Sequence, residues 1–252
     1  MYHITVVSLL PELIKPVSKV GVLGRACDEG LFSLEFISPR DFAKDTHRTV
    51  DDRPYGGGPG MVLKYEPLRD AICEARKRIP NGCAEYVLSP RGEPFDQSLA
   101  QKLADGPGLL LVAGRYEGID ERIFHGEVPN ELSLGDFVLS GGELAAAVVI
   151  DTVVRLIPGV LGHKDSLTDD SFMNELLGYP QYTRPVKIDE MMVPEVLIEG
   201  HHQAIRRWRL KQSLGRTWLS RPELLKSQNM NAEEKSLLDE YIEELGRKNP
   251  KN

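Results

Sequence analysis

Leu109–Arg122, LLLVAGRYEGIDER, runs from five consecutive apolar residues into a charged turn holding Gly114 and Gly118. A short unbroken apolar run bounded by a turn signal reads as a strand covered on both faces, the kind found in parallel sheets. Upstream, His3–Ser8 is β-branched, Leu31–Ile37 alternates polar with apolar residues, and Glu85–Leu88 forms another strand. Helical stretches separate them. Glu66-Pro67 opens a helix to about Arg78 with Pro at its first position. Asp96–Leu103 is a shorter helix with Asp96 as N-cap. Downstream, Leu132–Leu139 reads as a strand interrupted by Gly135-Asp136, and Gly141–Ile157 as a long, mostly buried helix. This alternation predicts an α/β domain with a largely parallel sheet.

The chain has 252 residues, 41% hydrophobic and 27% charged, enough apolar surface for one or two domains and too much for a disordered chain. The net charge of -7 excludes a protein basic all over. Contact with nucleic acid must come from a local basic cluster. Cys27, Cys73 and Cys83 match neither a paired zinc pattern nor a CxxC motif, and such a scattered set fits reduced thiols in a cytoplasm. The opening MYHITVVSLLPELIKP lacks a basic leader, and Pro11 and Glu12 break its apolar run, so it reads as strand and turn. Leu144–Ile150, the longest apolar stretch, is too short to span a bilayer, so no membrane association is expected.

After Pro158 the texture changes. Gly159–Thr183 carries Gly, Asp, Ser and Pro with little periodicity and reads as an interdomain linker. His202–Leu214 and Ala232–Leu245 are helical, with a capping-box spacing at Asn231 and Glu234 and a stop at Gly246. The expected division is an α/β domain over 1–160, a linker over 161–183 and a helical domain over 184–252.

Candidate chemistry gathers at strand ends, where open parallel sheets bind ligands. Tyr55-Gly56-Gly57-Gly58-Pro59-Gly60 permits close backbone approach, yet it is no P-loop. Met61 breaks GxGxxG, which disfavours a nicotinamide-dependent oxidoreductase. In GRYEGIDER, Gly114 could face a flat ligand and Glu117 a cation or hydroxyl, or the turn is merely solvated. In SLGDFVLSGGE, residues 133–143, exposed backbone could read an adenine edge, or the glycines mark a bulge and a helix cap. The linker holds Asp165, Asp169 and Asp170, any of which could act as a general base. Residues 201–221 carry Arg206, Arg207, Arg209, Lys211, Arg216 and Arg221 with no acid, a local charge of +6 in a chain of -7. That favours an anionic partner such as RNA, with Trp208 and Trp218 read as core residues.

Taken in order, DRPYGGGPGM, LSPRG, GRYEGIDER, LGDFVLSGGE, RLIPGVLG, DDSF, PQYTRP and IRRWRLKQSLGRTWLSRPELL resemble the bacterial tRNA (guanine-N1-)-methyltransferases, the TrmD family, over nearly the whole chain. Leu134 and Phe137 stand where that pattern has Ile and Tyr, and Gln181 where His is common. The resemblance implies a SPOUT-type parallel sheet with a deep trefoil knot near residues 85–142, plus a small α-helical C-terminal domain. It implies S-adenosylmethionine as methyl donor and N1 of guanosine 37 of tRNA, beside G36, as acceptor. Asp170 would be the base and Arg155 would stabilise charge at guanine O6. The donor would be held by Leu88, Ser89, Pro90, Gly92, Gly114, Tyr116, Glu117, Leu134, Gly135, Asp136, Phe137, Val138, Leu139, Gly141 and Gly142. Glu117 would also serve a divalent cation, Mg²⁺ by the hardness of its oxygens. Arg206, Arg207, Arg209, Lys211 and Arg216 would hold tRNA, and the unit would be a homodimer with shared active sites. The rival readings are another SPOUT RNA methyltransferase and a non-catalytic RNA-binding module.

Overall fold

The computed structural model describes residues 1–162, 170–226 and 229–248, with side chains through Gly246. Two compact units emerge, Met1–Gly162 and the described residues from Asp170 onward. The first contains β1 (Tyr2–Val7), α1 (Gly21–Asp28), β2 (Phe32–Ile37), β3 (Asp51–Asp52), β4 (Val62–Leu63), α2 (Tyr65–Arg76) and β5 (Ala84–Pro94). It continues with α3 (Gln97–Ala104), β6 (Gly108–Ala113), α4 (Arg122–Gly126), β7 (Glu131–Ser133) and α5 (Glu143–Val154). Five strands form one sheet in the order β2-β1-β6-β5-β7, every pair parallel, while β3 and β4 make a small antiparallel ribbon.

Every residue of β6 is buried, as its apolar sequence requires of a central parallel strand. Leu110 and Val112 join Val7, Ile37 and Val87 against Leu68, Ala71 and Ile72 of α2. By strand alternation Leu109 and Leu111 face the opposite side, where α5 packs on β6 and buries Ala146, Val149, Ile150 and Val153. Asp96 caps α3 as expected, its carboxylate accepting from the Leu99 N–H at 2.8 Å.

Three elements differ from their sequence reading. β5 does not stop at Leu88 but continues to Pro94 after a register shift. β7 ends at Ser133, because the backbone turns at Gly135 with φ +138°, so Leu134–Gly142 is irregular rather than strand. Helix α5 begins only at Glu143, after the double glycine. The short helix α1, with two glycines in eight residues, carries too weak a pattern to read in advance.

The second unit contains a hairpin of β8 (Lys187–Ile188) and β9 (Met191–Met192), then α6 (His202–Ser220), α7 (Pro222–Lys226) and α8 (Ala232–Lys248). Leu214, Leu225, Leu237 and Leu238 form its core, with Leu176, Leu210, Met230 and Ile242 around them. Gly215 lets α8 close on α6, since a Cβ there would lie 2.3 Å from the Tyr241 ring. Helix α6 therefore runs past Leu214 to Ser220, and α8 passes through Gly246 rather than stopping there. The expected capping box is reciprocal: Glu234 N–H donates to Asn231 Oδ1 at 2.9 Å, and Asn231 N–H to Glu234 Oε2 at 2.8 Å. Among the described residues no helix is long and apolar enough to cross a membrane.

Both tryptophans lie on α6, so their fluorescence reports on the second unit. Asn231→Ala should destabilise that unit by about 1 kcal/mol, moving the fluorescence-detected urea midpoint downward. An unmoved midpoint would remove the cap from the account.

Candidate active site

A cavity of about 490 Å³ opens at the carboxyl ends of β6 and β7 and at a mid-strand excursion of β5, which lies between them in the sheet. Its size and its place beyond the strand ends are those of a small-molecule site. Three chain segments wall it: Leu88–Arg91 from β5, Gly114–Ile119 after β6, and Ser133–Gly142 after β7, the last save for Asp136.

The first wall is an excursion in β5. Leu132 of β7 pairs with both Leu88 and Glu93, so Ser89–Gly92 are pushed out of register. Gly92 permits the return, because a Cβ there would sit 2.2 Å from the Leu132 amide nitrogen. Tyr86 ties the two limbs, its hydroxyl donating to Glu93 at 2.9 Å, and burial pushes that phenol up to about 12. Arg91 lines the mouth between Glu121 at 3.3 Å and Glu131 at 3.2 Å, with its guanidinium 4.6 Å from the Phe124 ring centre. The hydrogen bond that it donates to Glu121 holds that guanidinium still more firmly protonated.

The second and third walls meet backbone to backbone. Gly142 N–H donates to Gly114 O at 2.8 Å, and a Cβ on Gly142 would lie 2.8 Å from Ala113 Cα. Beneath them the carboxylate of Glu143 is fully buried, accepting from Ser8 Oγ at 3.1 Å and from Arg115 Nε at 3.1 Å. A Cβ on Gly141 would reach within 2.5 Å of that carboxylate and 2.7 Å of Arg115 Nε. The glycine-rich 55–60 stretch docks on the same wall. Glu117 N–H donates to Met61 O at 3.0 Å, and the Glu117 side chain lies against Gly60, where a Cβ would force it to shift.

Of the expected donor-binding residues, Leu88, Ser89, Pro90, Gly114, Tyr116, Glu117, Leu134, Gly135, Phe137, Val138, Leu139, Gly141 and Gly142 line this cavity. Gly92 and Asp136 do not: Gly92 is packed against the backbone of Glu131 and Leu132, and Asp136 is exposed. Sequence reading also passed over Arg91, Arg115 and Phe124 as lining residues, and the buried Glu143 as their support. Arg91, Arg115 and Glu143 stand inside the LSPRG, GRYEGIDER and LGDFVLSGGE motifs, and that membership was their only signal.

Arg155 lies elsewhere in the first unit. It borders a second cavity, of about 420 Å³, with Val17, Val20, Gly21, Asp151 and Leu161. The 12 residues of α5 separate it from Gly142, roughly 18 Å along the axis. Asp170 belongs to the second unit, and Asp165 and Asp169 lie outside the described residues. Among the described residues no group of three or more His, Cys, Asp or Glu side chains is placed to hold a metal ion.

The basic helix α6 is less uniform than its sequence. Arg207 pairs with Glu240 of α8, and Lys211 with Glu244 at 2.7 Å. Arg209 stacks 4.6 Å over the Tyr179 ring, while Arg206 and Arg216 are exposed. The tryptophans are not core residues as expected. Trp218 is exposed, and Trp208 is half-buried against Tyr182 with ring centres 6.4 Å apart.

A family model described as tRNA (Guanine-1)-methyltransferase TrmD matches residues 2–227. A tRNA (guanine-N(1)-)-methyltransferase of Chromohalobacter salexigens is 56% identical over 247 residues, 96% of this chain and 92% of that protein. Those of Alcanivorax borkumensis and Klebsiella pneumoniae subsp. pneumoniae are 54% identical over 250 residues and 55% over 238, covering 96% and 94% of this chain and 94% and 93% of theirs. The chain is a methyltransferase, an enzyme of transferase class. It belongs to the tRNA (guanine-1)-methyltransferase TrmD family.

Gly142→Ala should destabilise the first unit by roughly 1–3 kcal/mol, as overpacking against fixed backbone does. Chemical denaturation followed by circular dichroism checks this, and wild-type stability would show that the strand ends have room to spare.

Proposed function

We propose that this protein transfers a methyl group from S-adenosylmethionine to N1 of guanosine 37 in tRNAs carrying G36-G37, giving N1-methylguanosine. Family membership over residues 2–227 is the observation that carries the reading. The strand-end cavity supports it, because Gly114, Gly141 and Gly142 line it and a Cβ at Gly141 or Gly142 would collide with Arg115 or the Ala113 backbone and push the wall out of place. Exposed backbone of Leu134–Leu139 would meet the adenine edge, and Tyr116 and Glu117 would flank the ribose.

When bound, S-adenosylmethionine supplies a methyl group already activated by its sulfonium. The difficulty lies at guanine N1, which carries a proton when neutral. The Asp170 carboxylate takes that proton as the N1 electron pair closes on the methyl carbon. The carbon–sulfur bond breaks as the N1–carbon bond forms, and its electron pair stays on sulfur. Arg155 offsets negative charge developing at O6. Glu117 would offer one oxygen to Mg²⁺, which commonly takes one or two carboxylates and completes its shell with water and substrate.

Three finer statements belong to the same reading. The chain would thread a deep trefoil knot near residues 85–142. The supporting observation is that Gly92 and Gly142 press on the backbone of Leu132 and Ala113, with no space for a side chain where the segments cross. The enzyme would be a homodimer with shared sites, because Arg155 and the cavity sit at opposite ends of α5 in one chain. Leu144, Val148 and Phe137–Leu139 leave apolar surface exposed for a second copy to cover. The acceptor tRNA would lie on α6, in the cytoplasm, with Arg206 and Arg216 exposed to meet phosphate.

Labelled methyl donor with tRNA transcripts tests the whole: transfer to a G37 transcript and none to A37 is expected, and equal labelling would end the assignment. Asp170→Ala should abolish transfer while leaving donor binding by calorimetry intact. Near wild-type turnover would favour a SPOUT enzyme with another acceptor, and absent donor binding by the wild type would favour the RNA-binding module. Ala at both Arg206 and Arg216 should lower the logarithmic salt slope of tRNA binding by roughly 1.5–2. An unchanged slope would take these two residues out of the RNA face.

A further inference from the structure

We propose that Thr217 is a positioning residue that locks Asp170 to α6, so that the base travels with the RNA-facing helix rather than on a free tether. The proposal rests on the reading of Asp170 as the base. Its starting point is the chain just after Asp170, which sequence reading assigns to a linker. In the structure this segment is a closed loop. Gly178 N–H donates to Ser171 Oγ at 2.9 Å, joining its ends, and Phe172 N–H donates to Leu176 O at 2.8 Å within it. Phe172 and Glu175 hold φ of +70° and +56°. Side-chain-bearing residues persist there only where their surroundings over-determine them.

Those surroundings are α6 and its core. The Thr217 hydroxyl is completely buried, donates to Ser213 O at 2.7 Å and accepts from Leu177 N–H at 2.9 Å. Both its proton and a lone pair are therefore committed, which fixes the direction in which Leu177 must point. Leu176 packs into the leucine core, Arg221 lies 5.9 Å over the Phe172 ring, and Arg209 lies over Tyr179. Removing the hydroxyl leaves the Leu177 N–H without its acceptor and frees the closed loop from its central anchor. Ser171, the residue next to Asp170, is one end of that loop, so the error passes to the base. Arg216, the neighbour of Thr217, is among the exposed arginines of the same helix. Docking α6 on tRNA and placing the carboxylate then become one event.

Thr217→Val, Thr217→Ser and Ser171→Ala are to be compared with wild type in single-turnover methyl transfer at saturating donor and tRNA. Dissociation constants for both ligands are measured alongside. Valine preserves shape, so its expected effect is a rate loss on the order of tenfold to a hundredfold, with both dissociation constants within about twofold of wild type. Serine, which keeps the hydroxyl, should restore the rate, and Ser171→Ala should slow it while leaving the buried core untouched. A wild-type rate in Thr217→Val, or a loss that follows weakened tRNA binding and is not rescued by serine, overturns the proposal. If Thr217→Val proves unfolded by its melting curve, Ser171→Ala decides by the same criterion. Asp170→Asn separates the two levels: if it turns over normally, the base reading itself fails. If it is dead while both loop variants run at wild-type rate, only the positioning role fails.

Discussion

The contact between Gly142 and Gly114, backbone on backbone at 2.8 Å, is the constraint on which the first unit's site depends. A parallel strand buried on both faces ends where its side chains stop being needed. There the chain must turn without leaving polar backbone orphaned. Here β6 ends against the start of α5, and Gly142 leaves no room for a Cβ against the Ala113 backbone at the crossing. The same closeness recurs where β5 re-enters the sheet at Gly92. The cavity is the space left when two strand ends and the β5 excursion are pulled together by glycines while their loops are held apart. What holds them apart is polar and specific. Glu143 is a fully buried carboxylate, tolerable because Ser8 and Arg115 satisfy it, and its removal would leave the Arg115 guanidinium without that partner.

Helix α5 then sets the distances. It is apolar nearly all round, although only the face toward the sheet is buried. Its length puts the cavity and Arg155 at opposite ends of one rigid element, a separation no side-chain rotation can close. Under the proposed mechanism, which needs both, the stiffness that makes α5 a good core helix also asks for a second copy. The exposed Leu144 and Val148, one helical turn apart on its outer face, are what such a copy would cover.

Much of this was legible in residues. The continuous apolar run at Leu109–Ala113 read correctly as the doubly covered strand, and Asp96 and Asn231 read correctly as caps, because both signals are local. The strand endings were not legible. Leu134–Leu139 looks like a strand by composition, yet Gly135 adopts a backbone conformation that ends pairing at Ser133. The β5 excursion is invisible for the same reason: which residue Leu132 pairs with is decided by the partner strand and not by Ser89–Gly92 themselves. Glu143 could not be distinguished from a solvated first-turn acid, since its burial comes from Ser8, more than a hundred residues away.

The basic segment shows the opposite limit, where the residues are plain and their availability is not. Charge counting treats all six cations of 201–221 alike. In the fold, Glu240 and Glu244 stand one turn apart on α8 and take Arg207 and Lys211, which are also one turn apart on α6. Arg209 is spent on an aromatic face. A helix with all its cations free would repel itself and bind any polyanion. Matching two of them internally pins α8 to α6, Arg221 pairs with its neighbour Glu223, and Arg206 and Arg216 remain exposed at two separated places. Two fixed points define an orientation on a phosphate backbone, whereas a uniform stripe defines only an attraction.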